Sequence, residues 1–194
     1  LHELINEGKV KEIGCSNLTA EQLREAHAAA NGRSFVSLQN QYSLLAREPE
    51  TDGTLEACRE MGVGFLPYYP LANGWLTGKM DPSAPPPAGT RLEQMSADRA
   101  AHWLSDAFRS RAAKVLDYAK EINTPILELA FSWLLSRPQV SSVIAGASNP
   151  DQVRANADAA RDLPLEVVAA LVSSLFARLA RFSTARDDLD VQVV

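Results

Sequence analysis

Short runs rich in β-branched and aromatic residues alternate with longer stretches whose apolar positions recur at helical spacing. The β-type runs fall at Val10 to Cys15, Phe35 to Gln39, Gly62 to Tyr68 and Ser141 to Ile144. Thr19-Ala20-Glu21-Gln22 has capping-box spacing, so a helix is expected from there to a stop at Asn31-Gly32. Glu50 to Met61 reads as another helix, with Leu55, Ala57, Cys58 and Met61 as its apolar residues. Arg109 to Glu121 and Pro125 to Ser136 read likewise. Thr124 is the expected cap of the latter, with Pro125 at the first position, where a missing N–H costs nothing. Leu1 to Glu7 looks like the tail of an amphipathic helix. Strand and helix in alternation imply an α/β fold, with parallel strands joined by right-handed crossovers and helices over one face.

Met80 to Ala101 interrupts this rhythm. Its core, Asp81-Pro82-Ser83-Ala84-Pro85-Pro86-Pro87-Ala88-Gly89-Thr90, is poor material for regular structure and is expected to be a mobile loop. Two readings stand side by side: a flap over a ligand, or a solvated connector. After Leu163 the pattern blurs. Pro164 to Phe182 suits an amphipathic helix, and Thr184 to Asp190 looks frayed. The division drawn from this is β/α units over 1–162 and a carboxyl-terminal helix and tail over 163–194, to which no role is assigned.

With 194 residues the chain is long enough to bury a core of its own. Its net charge is −5 and no Lys/Arg cluster occurs, which argues against nucleic acid as a partner. No apolar run approaches the roughly 20 residues of a membrane span, and nothing reads as a signal peptide. The chain starts without Met, as a segment of a longer reading frame would. Cys15 and Cys58 lie far apart with no metal-like spacing. Reduced thiols and a cytoplasmic location are the expectation, with no metal site.

The stretch Gly64-Phe65-Leu66-Pro67-Tyr68-Tyr69-Pro70-Leu71-Ala72-Asn73-Gly74-Trp75-Leu76-Thr77-Gly78-Lys79 carries the most information. An apolar run stops abruptly in tyrosines, Pro, Gly and small polar residues, as a buried strand does when its carboxyl end opens into a site. This stretch resembles the seventh strand and following loop of the aldo-keto reductases. Gly8 to Asn17, closing in Ser16-Asn17, is similar to strand five. Leu38-Gln39-Asn40-Gln41-Tyr42-Ser43-Leu44-Leu45, followed by Arg47 and Glu50, is similar to strand six and its loop. Val143 to Asn156 resembles strand eight and the phosphate-facing helix after it. The segments are collinear over residues 1 to about 162. The resemblance implies a parallel (β/α) half barrel corresponding to strands five to eight of a TIM-type (β/α)8 barrel, which as a whole takes about 250 residues.

By this resemblance Ser16, Asn17 and Gln39 stand where the family binds the nicotinamide carboxamide. Read alone, Ser-Asn before Thr19 is more often a turn, and Gln39 more often structural. Tyr68 matches the aromatic that stacks on the nicotinamide ring. Leu71 and Asn73 match contacts to the pyrophosphate. Gly146, Ser148 and Gln152 lie in the turn that would receive the adenosine 2′-phosphate, and Asn156 matches the residue that meets adenine. That site also has a physical argument. Asn149 is a good N-cap and Pro150 suits the first position, so the helix start would offer free N–H groups to an anion. The basic positions of the family read Gly146 and Gln152 here. The implied cofactor is NADP(H), with NAD(H) as the alternative. Arg137 and Lys79 lack a motif reason for a role and are expected to be solvated surface.

The family's catalytic Asp, Tyr, Lys and His lie in the first half of the barrel, and none can be placed in this chain. His2, His27 and His102 fall in or beside helices or the long loop, and Tyr42 and Tyr118 lack a Lys and an Asp at workable spacing. The expected function is family-level reduction of aldehydes or ketones, present here as the cofactor-binding half and inactive alone. The rivals are a catalytically dead nucleotide-binding module that works through a partner, and the remnant of a truncated gene. Open strand edges would invite self-association.

Overall fold

The computed structural model describes residues 1–30 and 32–160. The expected stop at Asn31 and the expected helix and tail beyond Leu163 lie outside the described residues. The elements, in order, are α1 (His2–Asn6), β1 (Gly14–Ser16), α2 (Ala20–Ala29), β2 (Ser37–Gln41), α3 (Glu48–Thr51), α4 (Thr54–Met61) and β3 (Gly64–Tyr68). A 3-10 stretch at Ala72–Thr77 follows, then α5 (Ala97–Leu104), α6 (Asp106–Glu121), α7 (Ile126–Leu135) and α8 (Pro150–Ala159).

The three strands form one parallel sheet in the order β1-β2-β3. Alternation then sorts the side chains. Leu38, Phe65 and Pro67 turn to a buried side, while Ser37, Gln39, Gln41, Gly64, Leu66 and Tyr68 share the opposite side and stay half-buried. The buried side packs on α2, α4 and α7 through Leu23, Ala57, Cys58, Leu129, Trp133 and Leu134, all in one continuous core. Two strand glycines sit at close approaches rather than at positive φ: a Cβ at Gly14 would fall 2.4 Å from Ser37 Oγ and one at Gly64 2.5 Å from Ser141 Oγ, so each serine hydroxyl would have to turn away.

Four strands were expected and the described residues hold three. The expected run Ser141 to Ile144 forms no strand, and a single parallel bridge between Phe65 and Val140 lies just before it. Phe65 N donates to Gln139 O at 2.8 Å, and Ser141 N donates to Phe65 O at 3.0 Å. Two residues on, Pro67 turns to the same neighbour with no N–H to give, and only its carbonyl accepts, from Ile144 N at 3.4 Å. The ladder ends there. Residues 139–144 still run beside β3 in the same direction.

Other boundaries shift for local reasons. Strand β1 begins at Gly14 rather than Val10, although Ile13 O already accepts from Val36 N at 2.9 Å. The helix expected over 50–61 is two, α3 and α4, because Gly53 takes φ 81 between them. Pro125, not Thr124, is the N-cap of α7, and no side chain caps it. The Thr19 capping box is present as expected, with Gln22 N donating to Thr19 Oγ1 and Thr19 N donating to Gln22 Oε1. Met80–Ala101 is not a bare loop. It ends in α5, buries Met80 and Leu92, and is tied down by Arg109, whose Nη1 donates to the carbonyls of Pro82 (3.0 Å) and Ala84 (2.8 Å).

Candidate functional site

Ser16, Gln39 and Leu66 lie opposite one another across the sheet, and Gln41 lies opposite Tyr68 one row further on. All five occupy the side turned away from the helices, at the carboxyl ends of parallel strands. On such scaffolds ligands bind at that end. The sequence-predicted residues Ser16, Asn17, Gln39 and Tyr68 are therefore brought together. Ser16 Oγ donates to Gln39 O at 2.7 Å. The Tyr68 hydroxyl donates to Asn17 Oδ1 at 2.9 Å.

Asn17 itself takes φ 58, a left-handed conformation that Asn tolerates better than most residues. Its N–H donates both to Gln39 O (3.1 Å) and to Asn40 Oδ1 (2.7 Å). Asn40 Nδ2 in turn donates to Leu18 O at 3.1 Å. Asn40 was missed as a site residue. Its position between Gln39 and Gln41 puts it on the helix side, from where it braces the backbone of the turn that carries Asn17. Three consecutive polar residues ending a strand were the available signal.

The two neighbouring tyrosines meet edge to face, their ring centres 5.2 Å apart, but take different further partners. Tyr68 faces Asn17, while Tyr69 takes φ 52 and turns its ring against Trp103 at 5.6 Å, with the Arg91 guanidinium 5.7 Å from its centre. Leu71 is half-buried at the start of the next turn. There Ala72 (φ 47) and Asn73 (φ 54) adopt left-handed conformations ahead of Gly74 (φ 105). Such a run concentrates strain, about 1–3 kcal/mol for each non-glycine residue held there. Asn73 is 8% exposed, and neither its Oδ1 nor its Nδ2 has a hydrogen-bond partner among the described residues. A buried amide left so is unusual and is what a polar ligand would satisfy.

Residues 139–144 run parallel to β3, so Gly146 and the start of α8 lie at the same end of the sheet. Asn149 caps α8, its Oδ1 accepting from Gln152 N at 3.0 Å, with Pro150 at the first position. Gln152 folds back, and its Oε1 accepts from Ser148 N (2.8 Å) and Ser148 Oγ (3.1 Å). A Cβ at Gly146 would meet nothing within 4 Å. Gln152 and Asn156, one turn apart, are both half-buried on one side of the helix. Residues 146–152 include no cation, and the nearby Arg154 is paired with Asp151 at 2.9 Å.

The histidines stay apart from this site. His2 Nε2 lies 2.8 Å from Arg33 O, His27 is exposed on α2, and His102 stands on α5 against Trp103 and Phe108. Tyr42 is fully buried, and its hydroxyl donates to Glu50 Oε1 at 2.8 Å. Burial first, and then the Glu50 carboxylate, hold its hydroxyl protonated far above the ordinary range. Arg47 pairs with the same carboxylate and lies over Trp133 at 5.5 Å. Arg137, expected to be solvated, is half-buried and covers Trp133 at 4.7 Å. Both cysteines are free thiols. Burial raises Cys15, and burial with Cys15 nearby raises Cys58 to about 11, which leaves neither a nucleophile at neutral pH. Among the described residues no group of His, Cys, Asp and Glu could hold a metal ion, and no helix is long and apolar enough to cross a membrane.

The sequence model of the aldo/keto reductase family matches residues 1–175. This chain belongs to the aldo/keto reductase family. Among its relatives is an uncharacterized oxidoreductase, YrpG, of Bacillus subtilis, 36% identical over 153 residues, covering 77% of this chain and 44% of that protein. A probable voltage-gated potassium channel subunit beta of Arabidopsis thaliana is 30% identical over 168 residues, covering 85% of this chain and 51% of that protein. An NADH-specific methylglyoxal reductase of Escherichia coli is 31% identical over 163 residues, covering 80% of this chain and 45% of that protein. The aldo/keto reductase chain thus spans about half the length of the relatives it matches. The family's fold is the TIM barrel, and its members use nicotinamide cofactors and carbonyl substrates.

Proposed function

We propose that this chain is the cofactor-binding part of an aldo-keto reductase that reduces aldehydes or ketones, and that it corresponds to strands five to eight of the barrel. The observation that carries the proposal is the gathering of Ser16, Asn17, Gln39 and Tyr68 on the uncovered side of the sheet, at the strands' carboxyl ends. Their chemistry fits a nicotinamide. The planar carboxamide offers a donor and an acceptor, which short polar side chains can meet, and the ring offers a flat face to an aromatic. Leu71 and the unpartnered Asn73 fit the pyrophosphate, and the Gly146–Gln152 turn with Asn156 fits the adenosine end. When bound, such a cofactor supplies the hydride.

Of the residues gathered at this site only Tyr68 carries an ionisable hydroxyl, and it is engaged with Asn17 Oδ1 rather than paired with a Lys or His that would make it an acid for a developing alkoxide. General acid catalysis is worth roughly 10²–10⁴-fold, so the chain by itself should not turn over. The first half of the barrel, with its Asp, Tyr, Lys and His, would complete the site. The edge of β1, unpaired among the described residues, is where that half or a second copy of this chain would join.

For the cofactor, Gly146 and Gln152 replace the family's basic residues, and Arg154 is engaged by Asp151. NADP(H) is the family-level reading. Weak discrimination against NAD(H) is the expectation for these residues, and one relative is named as NADH-specific. The test is titration of the purified chain with NADPH and with NADH, followed by an assay with a nitrobenzaldehyde, read by loss of reduced-cofactor absorbance. Binding without turnover supports the proposal and is also what a dead binding module would show. Turnover that survives repurification would overturn the inactivity. No binding of either nucleotide would favour the remnant.

A further inference from the structure

The inference rests on the cofactor reading above, in which Tyr68 supplies the stacking ring. In an extended strand neighbouring side chains leave on opposite sides, so an extended Tyr69 would send its ring toward the helices. It does not. Tyr69 takes φ 52, a left-handed conformation that is strained for so bulky a residue. That turn brings its ring round beside the ring of Tyr68, with centres 5.2 Å apart and planes at 81°. A glycine would take this φ without strain, so what Tyr69 adds at this position is its ring.

That ring is held in turn. Trp103 of α5 meets it at 5.6 Å with planes at 86°. Trp103 is buried, and its carbonyl accepts from Trp75 Nε1 at 3.1 Å. The next carbonyl, of Leu104, accepts from Arg109 Nε at 3.1 Å. Three rings thus run in series from α5 to the carboxyl end of β3, each pair in the edge-to-face arrangement that aromatic quadrupoles favour. The Tyr68 hydroxyl, beyond its ring, is bonded to Asn17 Oδ1.

We propose that Tyr69 is a positioning residue: its ring, placed by the left-handed turn and backed by Trp103, holds the Tyr68 ring at the angle from which it stacks on the nicotinamide. A stacking ring fixed before the ligand arrives loses less freedom on binding, so Tyr69 acts on the nicotinamide through Tyr68.

Tyr69→Gly removes the ring and relieves the positive φ, which offsets part of the lost packing, so the chain should remain folded. In the purified chain it should weaken NADPH binding about two- to tenfold, the range expected for one aromatic pair. It should leave 2′-phospho-ADP-ribose, which lacks the nicotinamide, unchanged, whereas a merely structural Tyr69 would move both ligands together. In ligand-observed NMR, saturation transfer to the nicotinamide protons should fall while transfer to the adenine protons persists. Tyr69→Phe keeps the ring and should bind NADPH as the wild type does. Equal losses for both ligands in Tyr69→Gly, or NADPH bound as tightly as before or more so, with wild-type binding intact, would overturn the positioning role and leave the cofactor reading standing. Failure of the wild-type chain to bind either ligand would overturn both.

Discussion

The two sides of one small sheet are built from alternate residues of the same strands and serve opposite ends. Leu38 and Phe65 are fully buried under the helices, while their sequence neighbours Ser37, Gln39, Gly64 and Leu66 remain half-buried on the other side. A parallel sheet is ordinarily covered on both sides. Here, among the described residues, the covered side is apolar and continuous, and the uncovered side is small, polar or aromatic. On the proposed cofactor reading, the contrast divides stability and recognition by parity along each strand. A substitution should disturb one or the other according to which neighbour it strikes.

The largest effect should come from the covered side. Phe65→Ala or Trp133→Ala should lower stability by about 3–5 kcal/mol, read as a fall in the urea midpoint. A cost under about 1 kcal/mol at both would break the comparison, because the core would not be where the packing puts it. Tyr68→Ala should reverse the pattern, costing at most about 1 kcal/mol of stability while abolishing nicotinamide binding. Equal losses of folding and binding would show the uncovered side to be structural after all.

A finer test acts at the adenosine end. Gln152→Arg adds a cation where residues 146–152 have none, on an exposed helix start. NADPH affinity should rise about three- to tenfold with NADH unchanged, and the gain should shrink in salt. An equal gain for NADH would mean that the 2′-phosphate is not read there. The smallest expected effect belongs to Cys58 on the covered side. Its thiol titrates at about 11 when folded, above the ordinary thiol range, so the protein is at full strength below the unfolded value and loses that contribution as pH climbs toward 11. Cys58→Ala should flatten this part of the stability profile, measured as urea midpoint against pH.

Much of this division was legible in the sequence, and the misses have physical causes. The alternation of β runs and capped helices gave the parallel order, whereas Ser16, Asn17, Gln39 and Tyr68 were singled out by the resemblance to the aldo-keto reductases, and the structure brings them to one end of the sheet. What periodicity could not register was hydrogen bonding at one residue. Pro67 is apolar and fits a strand by pattern, yet its missing N–H ends the ladder to residues 139–144. Gly53 was lost inside a helical pattern that its φ of 81 divides. Composition alone made Met80 to Ala101 a mobile loop, because the anchor, Arg109, lies downstream on α6. Arg137 looked like surface because the ring it covers, Trp133, lies one helical turn before it and carries its own burial. Tyr68 and Tyr69 are the same letter twice, and only the backbone turn at Tyr69 gives them different partners.

The proline in β3 also bears on how the molecule opens. Amide protons exchange with solvent through local opening, at a free energy set by the bonds that must part. Between β2 and β3 the paired register spans Ser37 to Gln41, whereas β3 and the next segment share one bridge and a long contact at 3.4 Å. Residues 141–145 should therefore exchange well before 64–66, and α8 should detach as its own cooperative unit while the rest stays folded. The proposed nicotinamide and adenosine contacts would then belong to units of unequal persistence. A ligand that bridges them would slow exchange in α8 far more than in β2, so deuterium uptake along α8 would report a dinucleotide gripped at both ends.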